Sequence, residues 1–271
     1  MDHVTGVSWP RSGHHLLVRM LGLYFGEAFG YCDFYGGIKG CCKTVPCTRI
    51  HRVHLTKSHD FQQEVPQIIG RKYLIQYREY LPSAVSNYEL FLLDKPKEVD
   101  SRETFTAFIS QQFSAYRTFM DRWVTSEFGA DQLQLSYEQL LAYPKDSLRL
   151  AVWWLDPQTP VDEARLDLAI AQVSGEKVES WRIETLQSVG VHDDRDLSEF
   201  RHYEPELFSR LDRLKLTREE VAQAFMSLLG RPPAEKTYLT FQCLGSIAEL
   251  EAALRDSEEY RQKQANSGNE S

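Results

Sequence analysis

The run Pro10, Arg11, Ser12, Gly13, His14, His15 combines residue types that bind anions. It follows a β-rich stretch and leads into an apolar helical stretch that begins at Leu16. Unpaired amides at such a helix N-terminus point at one spot and attract an anion. Gly13 lets the backbone approach closely, and Arg11 adds a cation. Ser12, His14 and His15 add side-chain donors. The run predicts an anion site, with an ordinary strand-to-helix turn as the alternative.

Lys57 and His59 are a second pair of residues that could take part in a reaction. Residues two apart in an extended segment point the same way, so both can address one small volume. A neutral imidazole can remove a proton from a hydroxyl, and an ammonium group can neutralise a growing negative charge. The alternative is a hydrogen-bonded structural histidine.

Arg78 and Ser86 are separated by eight positions across the junction of a strand and a helix. Pro82 can start that helix, which places Ser86 one turn into it. A guanidinium group and a hydroxyl together make a phosphate clamp. Alternatively, Arg78 is a surface ion-pair partner of Glu79 or Asp94.

These segments resemble the sulfotransferases that use 3′-phosphoadenosine 5′-phosphosulfate (PAPS). Their phosphosulfate loop reads approximately Pro-Lys/Arg-Ser-Gly-Thr-Thr, and here His14 and His15 replace the two threonines. Lys57-Ser58-His59 is similar to the family's Lys-Thr-His. Segment 73–88 is similar to the strand-to-helix element whose arginine and serine hold the 3′-phosphate. Segment 133–150 is similar to a strand followed by Tyr-Glu-Asp-Leu, a proline and a helix.

The resemblance implies transfer of a sulfuryl group from PAPS to an acceptor hydroxyl, leaving adenosine 3′,5′-bisphosphate (PAP), with no metal required. It assigns the 5′-phosphosulfate to Arg11, Ser12, Gly13, His14 and His15. It assigns the 3′-phosphate to Arg78 and Ser86, and the adenine to Tyr137, which could equally be a core residue. Lys57 would assist the leaving group, and His59 would be the base.

Two other functions stay open. A nucleotide-dependent phosphotransferase is one, although the loop is not GxxxxGK[ST] and lacks the usual lysine of an ATP site. A non-catalytic protein that binds PAPS or PAP is the other. The family's basic segment over the 3′-phosphate is either absent here or supplied by Arg195 or Arg201.

The chemistry requires elements that bring these segments together. The β-rich runs 4–8, 52–56, 72–77 and 132–136 alternate with helical patterns at 13–25, 82–92, 102–124, 145–155, 161–173, 205–214 and 217–229. This alternation predicts an α/β fold, a central parallel sheet flanked by helices on both faces. The resemblance specifies a P-loop-NTPase-like sulfotransferase fold. We expect one domain over 1–255 and a polar, flexible tail over 256–271.

Composition excludes some classes of function. With 271 residues and a net charge of −8, the chain is not suited to general nucleic-acid or membrane-surface binding. No basic and apolar leader and no apolar stretch of about 18 residues is visible, so we expect a cytoplasmic protein without membrane insertion. The expected acceptor is a small-molecule or glycan hydroxyl.

Four of the five cysteines lie close together in sequence: Cys32, Cys41, Cys42 and Cys47. The spacing lacks two CxxC pairs, and adjacent Cys41 and Cys42 do not easily face one ion. The pattern therefore favours reduced thiols in a packed loop over a zinc site.

Overall fold

The computed structural model describes residues 1–33, 41–175 and 196–267. The chain divides into two compact units. The first comprises Met1–Leu93 and Thr118–Arg195, and the second Asp94–Arg117 and Asp196–Ser271. This division leaves the predicted single domain over 1–255 a prediction, because compactness does not say which parts fold alone.

The first unit is built on a five-stranded parallel sheet. Its strands are β1 (Val4–Ser8), β2 (Tyr31–Cys32), β3 (Leu55–Ser58), β4 (Lys72–Tyr77) and β5 (Leu133–Ser136). Their order is β2-β3-β1-β4-β5, and every neighbouring pair is parallel. The predicted α/β class is confirmed.

The α-helices of the described residues are α1 (His14–Phe25), α2 (Tyr80–Asp94), α3 (Arg102–Phe119), α4 (Glu127–Ala130), α5 (Tyr137–Ala142), α6 (Pro144–Leu155), α7 (Glu163–Gly175), α8 (Pro205–Leu211), α9 (Arg218–Leu229), α10 (Tyr238–Gln242), α11 (Ile247–Arg255) and α12 (Glu258–Ser267). A π-helical turn, Met120–Val124, continues α3. Thr217 caps α9 through a capping box with Glu220, which satisfies free amides of the first turn.

Both faces of the sheet are covered by helices. On one face, strand residues such as Leu55 and Leu74 pack in one core with α1, α6 and α7. On the opposite face, Tyr73 packs against Trp123 and Phe128, with ring centroids 5.7 and 5.1 Å apart. Strand residues therefore alternate between two apolar layers, which fixes the register of the strands.

β3 begins later than the sequence predicts. The amides of Arg52 and Val53 both donate to the carbonyl of Arg49, so these residues form a turn. Pairing starts at Leu55, opposite Val4 of β1. Lys57 and Ser58 consequently lie within the strand, and His59 follows its last residue.

The second unit has its own helical core. Leu216, Val221, Phe225 and Leu250 are buried together between α9 and α11. The buried Gln242 side chain links α10 to α3 within this unit by donating to the carbonyl of Ser110 at 3.1 Å.

Residues beyond Asp256, expected to form a flexible tail, are helical as far as Ser267. Glu259 of α12 pairs with Arg231 at 2.5 Å, and Lys263 donates to the carbonyl of Leu228 at 3.0 Å. These contacts place the beginning of the expected tail against the end of α9, and its flexibility stays a prediction. Across the described ranges, no helix combines the length and the apolar character needed to cross a membrane.

Candidate functional site

The candidate site lies at the carboxyl edge of the sheet. Because β1, β3 and β4 are neighbours and parallel, the residues that follow them meet at one edge. Those residues are the loop 9–13, His59 and Arg78. Helices α1 and α2 begin at the same edge, directly after the loop 9–13 and Arg78, so three segments distant in sequence meet in one place.

The loop after β1 turns through two left-handed residues, Arg11 with φ 65° and Gly13 with φ 77°. A Cβ at Gly13 would lie 2.8 Å from the Tyr137 ring and 3.0 Å from Leu140. Only glycine lets the loop pass so close to α5. The loop is thereby held in the conformation that opens α1 at His14.

The environment of the Ser12 hydroxyl indicates whether this loop fits an anion. Its side chain is 1% exposed, and among the described residues its Oγ has no hydrogen-bond partner. A buried hydroxyl without a partner costs about 1–3 kcal/mol. An anion oxygen received at the N-terminus of α1 would remove that cost, so the loop fits a phosphate or sulfate group.

Arg78 and Ser86 are both brought to this loop. The Nε of Arg11 donates to the Oγ of Ser86 at 2.8 Å, and a terminal nitrogen of Arg78 donates to the carbonyl of Arg11 at 3.3 Å. Arg78 is 3% exposed and lies 4.1 Å from the centre of the Tyr137 ring. Its burial contradicts the alternative of a surface ion pair with Glu79 or Asp94.

The start of α2 also differs from the prediction. The helix begins at Tyr80 rather than at Pro82, so Ser86 lies in its second turn. Pro82 remains compatible because it occupies the first turn, where its missing N–H breaks no helical hydrogen bond. Ser83, one position later, accepts a hydrogen bond from the Trp9 indole at 3.0 Å.

Tyr137 is the first residue of α5 and is buried, with 7% of its surface exposed. Ser136 caps this helix through a capping box with Gln139. Glu138 accepts a hydrogen bond from the amide of Glu79 at 3.2 Å. The Tyr137 ring thus packs on both Gly13 and Arg78 and connects the loop after β1 with the residue after β4.

Lys57 and His59 approach the loop from β3. Lys57 is 8% exposed, and its Nζ lies 3.4 Å from the Nε2 of His15. The Nδ1–H of His59 donates to the carbonyl of Ser8 at 2.6 Å. A carbonyl only accepts, so it fixes the tautomer in which Nε2 carries the lone pair of a base.

Burial, followed by the charges of neighbouring cations, sets the charge states of the site. Burial and the Lys57 ammonium lower the pKa of His59 to about 3, against the opposing effect of the Ser8 carbonyl. Burial also lowers the pKa of Lys57. The Asp33 carboxylate acts against this shift, and the charge of Arg11 adds to it. The pKa of His15 falls through desolvation, Lys57 and Arg11, with Asp33 opposing. His59 is consequently neutral at neutral pH.

His14 lies beneath the loop and not within it. Its side chain is buried, with Nδ1 2.8 Å from the amide oxygen of Gln76 and Nε2 3.1 Å from the hydroxyl of Tyr31. Both ring nitrogens are therefore engaged inside the protein, whereas the next side chain, His15, is exposed. Desolvation, followed by the charge of Lys57, lowers the pKa of His14 well below its usual value.

Sequence reasoning missed Ser8, Gln76 and Asp33. Ser8 orients His59 through a main-chain carbonyl, which leaves no trace in residue type. Gln76 was detectable as a polar residue inside an apolar strand. Asp33 acts on Lys57 and His15 from the residue after β2, a strand too short to show a pattern.

Arg201, one of the two candidate basic residues of the C-terminal third, belongs to the second unit. Arg201 and His202 both pair with Asp100 in the second unit, at 2.5 and 2.6 Å. Arg195 lies outside the described residues.

No protein-family model matches the chain, and no curated protein is significantly similar to it. Among solved structures, mouse sulfotransferase SULT7A1 complexed with PAP is similar over 78% of this chain and 85% of that one. The sequences are 14% identical and the TM-score is 0.43. The assignment of a function therefore rests on the geometry of the site.

Proposed function

We propose that the chain is a sulfotransferase that moves a sulfuryl group from PAPS to a hydroxyl of a small-molecule or glycan acceptor and releases PAP. One observation carries the proposal. Arg11, Lys57 and Arg78 gather around a loop whose buried Ser12 hydroxyl has no partner among the described residues, beside a histidine held as a neutral base.

In this proposal the donor's 5′-phosphosulfate lies on the amides of 12–15 and on Ser12. Arg78 and Ser86 take the 3′-phosphate, for which the planar guanidinium of Arg78 is suited. Arg11 links the two groups, because it already contacts Ser86. Tyr137 provides an aromatic surface beside them for the adenine.

The proposed reaction is an in-line displacement at sulfur. The acceptor oxygen bonds to sulfur while the bond from sulfur to the bridging phosphate oxygen breaks. The hydroxyl proton passes to Nε2 of His59, and the Lys57 ammonium neutralises the charge that grows on the phosphate oxygen. Like phosphoryl transfer, such a reaction depends mainly on positioning and charge stabilisation.

The geometry refines the roles of the two loop histidines within the proposal. His14, held by Gln76 and Tyr31, positions the first turn of α1. His15 is exposed and adjoins Lys57, so it remains available to the anion.

Thermal unfolding with added nucleotide tests the proposal. PAP at about 100 times its dissociation constant should stabilise the chain by about 2.7 kcal/mol. For a domain of this size that raises the melting temperature by roughly 5–10 °C. ATP with Mg²⁺ is the matched control, and stabilisation by ATP and Mg²⁺ without any by PAP would favour a phosphotransferase.

A turnover assay separates catalysis from binding. With PAPS and a panel of hydroxyl acceptors, the proposal expects release of PAP in step with sulfated product. Binding of PAP without any turnover would instead support a non-catalytic binding protein.

A further inference from the structure

The cysteine segment next to β2 forms a compact cluster of thiols. The sulfurs of Cys32, Cys42 and Cys47 all lie within 4.8 Å of one another. Cys42 and Cys47 are 3.4 Å apart, and the sulfur of Cys41 lies 3.2 Å from that of Cys32. None of the four forms a disulfide, which requires a sulfur separation near 2.05 Å.

We propose that Cys32, Cys42 and Cys47 bind a structural zinc ion through their thiolates. The proposed fourth ligand is Cys41, whose sulfur lies 3.2 Å from that of Cys32 but outside the group of three. Bonds from zinc to sulfur are about 2.3 Å long, so tetrahedral ligands lie about 3.8 Å apart. The sulfurs of Cys42 and Cys47 are 3.4 Å apart, and those of all three proposed ligands lie within 4.8 Å of one another, which is close to this spacing. Thiolate ligands select zinc or similarly soft metals over calcium and magnesium.

The surroundings of the sulfurs are those of a metal centre. The amide of Lys43 donates to Cys41 at 3.3 Å, and the amide of Arg49 donates to Cys47 at 3.4 Å. The hydroxyl of Thr44 lies 3.1 Å from the sulfur of Cys42 and donates to it. Donors of this kind orient metal ligands and stabilise their negative charge.

From their spacing alone, adjacent Cys41 and Cys42 are not expected to face one ion easily. In the structure, the sulfur of Cys42 contacts that of Cys47, and the sulfur of Cys41 contacts that of Cys32. Cys32 connects the two pairs, because its sulfur also lies within 4.8 Å of those of Cys42 and Cys47. Spacing along the chain could not reveal this, because Cys32 comes from a strand and the others from a loop.

The position of the cluster gives the metal a structural role. Cys32 lies in β2 and pairs in register with Thr56 of β3, the residue before Lys57. Cys32 and Cys47 are each 3% exposed and share a small core with Val53. Zinc would therefore fasten the edge strand β2, whose Tyr31 holds His14.

Metal content of the full chain tests the proposal. Purified with reductant and without chelator, the chain should carry about one zinc ion, measured by inductively coupled plasma mass spectrometry. The double variant C42S/C47S should carry less than about 0.2 ions, whereas C243S, which changes a cysteine of the second unit, should keep about one. Zinc contents of C42S/C47S and C243S that do not differ would overturn the proposal.

A second measurement does not rely on variants that fold. Alkylation followed by peptide mass spectrometry should show Cys32, Cys41, Cys42 and Cys47 protected until a chelator is added, with Cys243 unaffected by the chelator. Titration of the chelated, reduced chain with Co²⁺ should produce thiolate-to-cobalt charge-transfer absorption. Absence of both the protection and the absorption would overturn the site, and neither result depends on PAP binding.

Discussion

The electrostatics of His59 contain an apparent conflict. A base with a pKa of about 3 is neutral at pH 7, as the proposed role requires, but it is a weak proton acceptor. After burial, the next largest cause of the low value is the charge of Lys57. An anionic donor beside Lys57 offsets that charge, so donor binding should raise the pKa of His59 towards the useful range.

This coupling predicts different pH profiles for the free and the donor-bound protein. The base must be unprotonated, so activity falls as the pH drops below its pKa. kcat/KM for the donor reports the free protein and should stay flat from pH 8 to about pH 5. kcat reports the complex, and its acid limb should appear at higher pH. Steady-state rates measured across this range check the prediction, and an acid limb near pH 6.5 in kcat/KM would contradict it.

The substitution His59→Asn tests the base directly. The asparagine amide can still donate to the Ser8 carbonyl, but no nitrogen remains to accept a proton. We expect kcat to fall by about 10²-fold or more with PAP affinity largely kept. The exposed His51→Asn is the matched control. Activity of H59N near that of the control would move the base to another residue, with His15 the next candidate.

Arg78→Lys tests the planar clamp. Lysine keeps the positive charge but loses the stack on Tyr137 and the bond to the Arg11 carbonyl. We expect PAP to bind at least about 10-fold more weakly, since a hydrogen bond to a charged group contributes about 1.5–3 kcal/mol. Calorimetric titration measures this, with the exposed Arg165→Lys as control. Equal PAP affinity in both variants would dismiss the 3′-phosphate assignment.

At the scale of elements, Gly13, the residue before α1, and Gly22, within α1, make a matched pair. Gly13 has φ 77° and its added Cβ meets Tyr137 and Leu140, whereas a Cβ at Gly22 meets nothing within 4 Å. Gly13→Ala should lower the free energy of unfolding by about 1–2 kcal/mol or more and weaken PAP binding. Gly22→Ala should raise it by about 0.5–1 kcal/mol. Urea unfolding of both variants checks the two opposite signs, and equal effects would contradict the close packing of the loop on α5.

The strands and helices that carry strong patterns were predictable. The bounds of β1 and β4 match the structure because each is a buried run in the middle of the sheet. β2 has only two residues and shows no pattern. The start of β3 was wrong because the turn at Arg49 depends on main-chain hydrogen bonds rather than on residue type.

The sequence was enough to predict which segments come together at the candidate site. The spacing of Arg78 and Ser86 identified two residues that both contact Arg11. The direction of each side chain was not predictable from spacing. His14 and His15 are adjacent and look equivalent in sequence, yet one is buried against Gln76 and the other is exposed. Helical geometry separates neighbouring side chains by about 100°, so only the position of the core decides which one turns inward.

At the scale of the whole molecule, net charge and local charge differ in sign. The chain carries −8, while three basic side chains, Arg11, Lys57 and Arg78, gather at one edge of the sheet. Salt screens the long-range repulsion between the chain and an anionic ligand more than it screens partly buried contacts. The gathered positive charge therefore acts on an anion mainly at close range.

Two neutral histidines, the buried His14 and the half-buried His59, make the stability of the molecule depend on pH. Burial lowers the pKa of both His14 and His59 in the folded chain, whereas in the unfolded chain each titrates near 6.5. Below pH 6.5 the unfolded chain binds protons that the folded chain does not, so protons favour unfolding. Stability is complete above pH 6.5 and falls as the pH drops towards the folded values, by up to about 1.4 kcal/mol per pH unit for each histidine.

The substitution His14→Gln isolates one of these contributions. Glutamine can still bond to Gln76 but has no proton to gain in this range. Between pH 6.5 and pH 5, we expect the free energy of unfolding to fall less steeply in H14Q than in the unmodified chain, by up to about 1.4 kcal/mol per pH unit. Urea unfolding at four pH values measures the slope independently of any loss of stability at neutral pH. The exposed His51→Gln is the control, and a slope in H14Q equal to that of the control would show that His14 does not resist protonation in the folded chain.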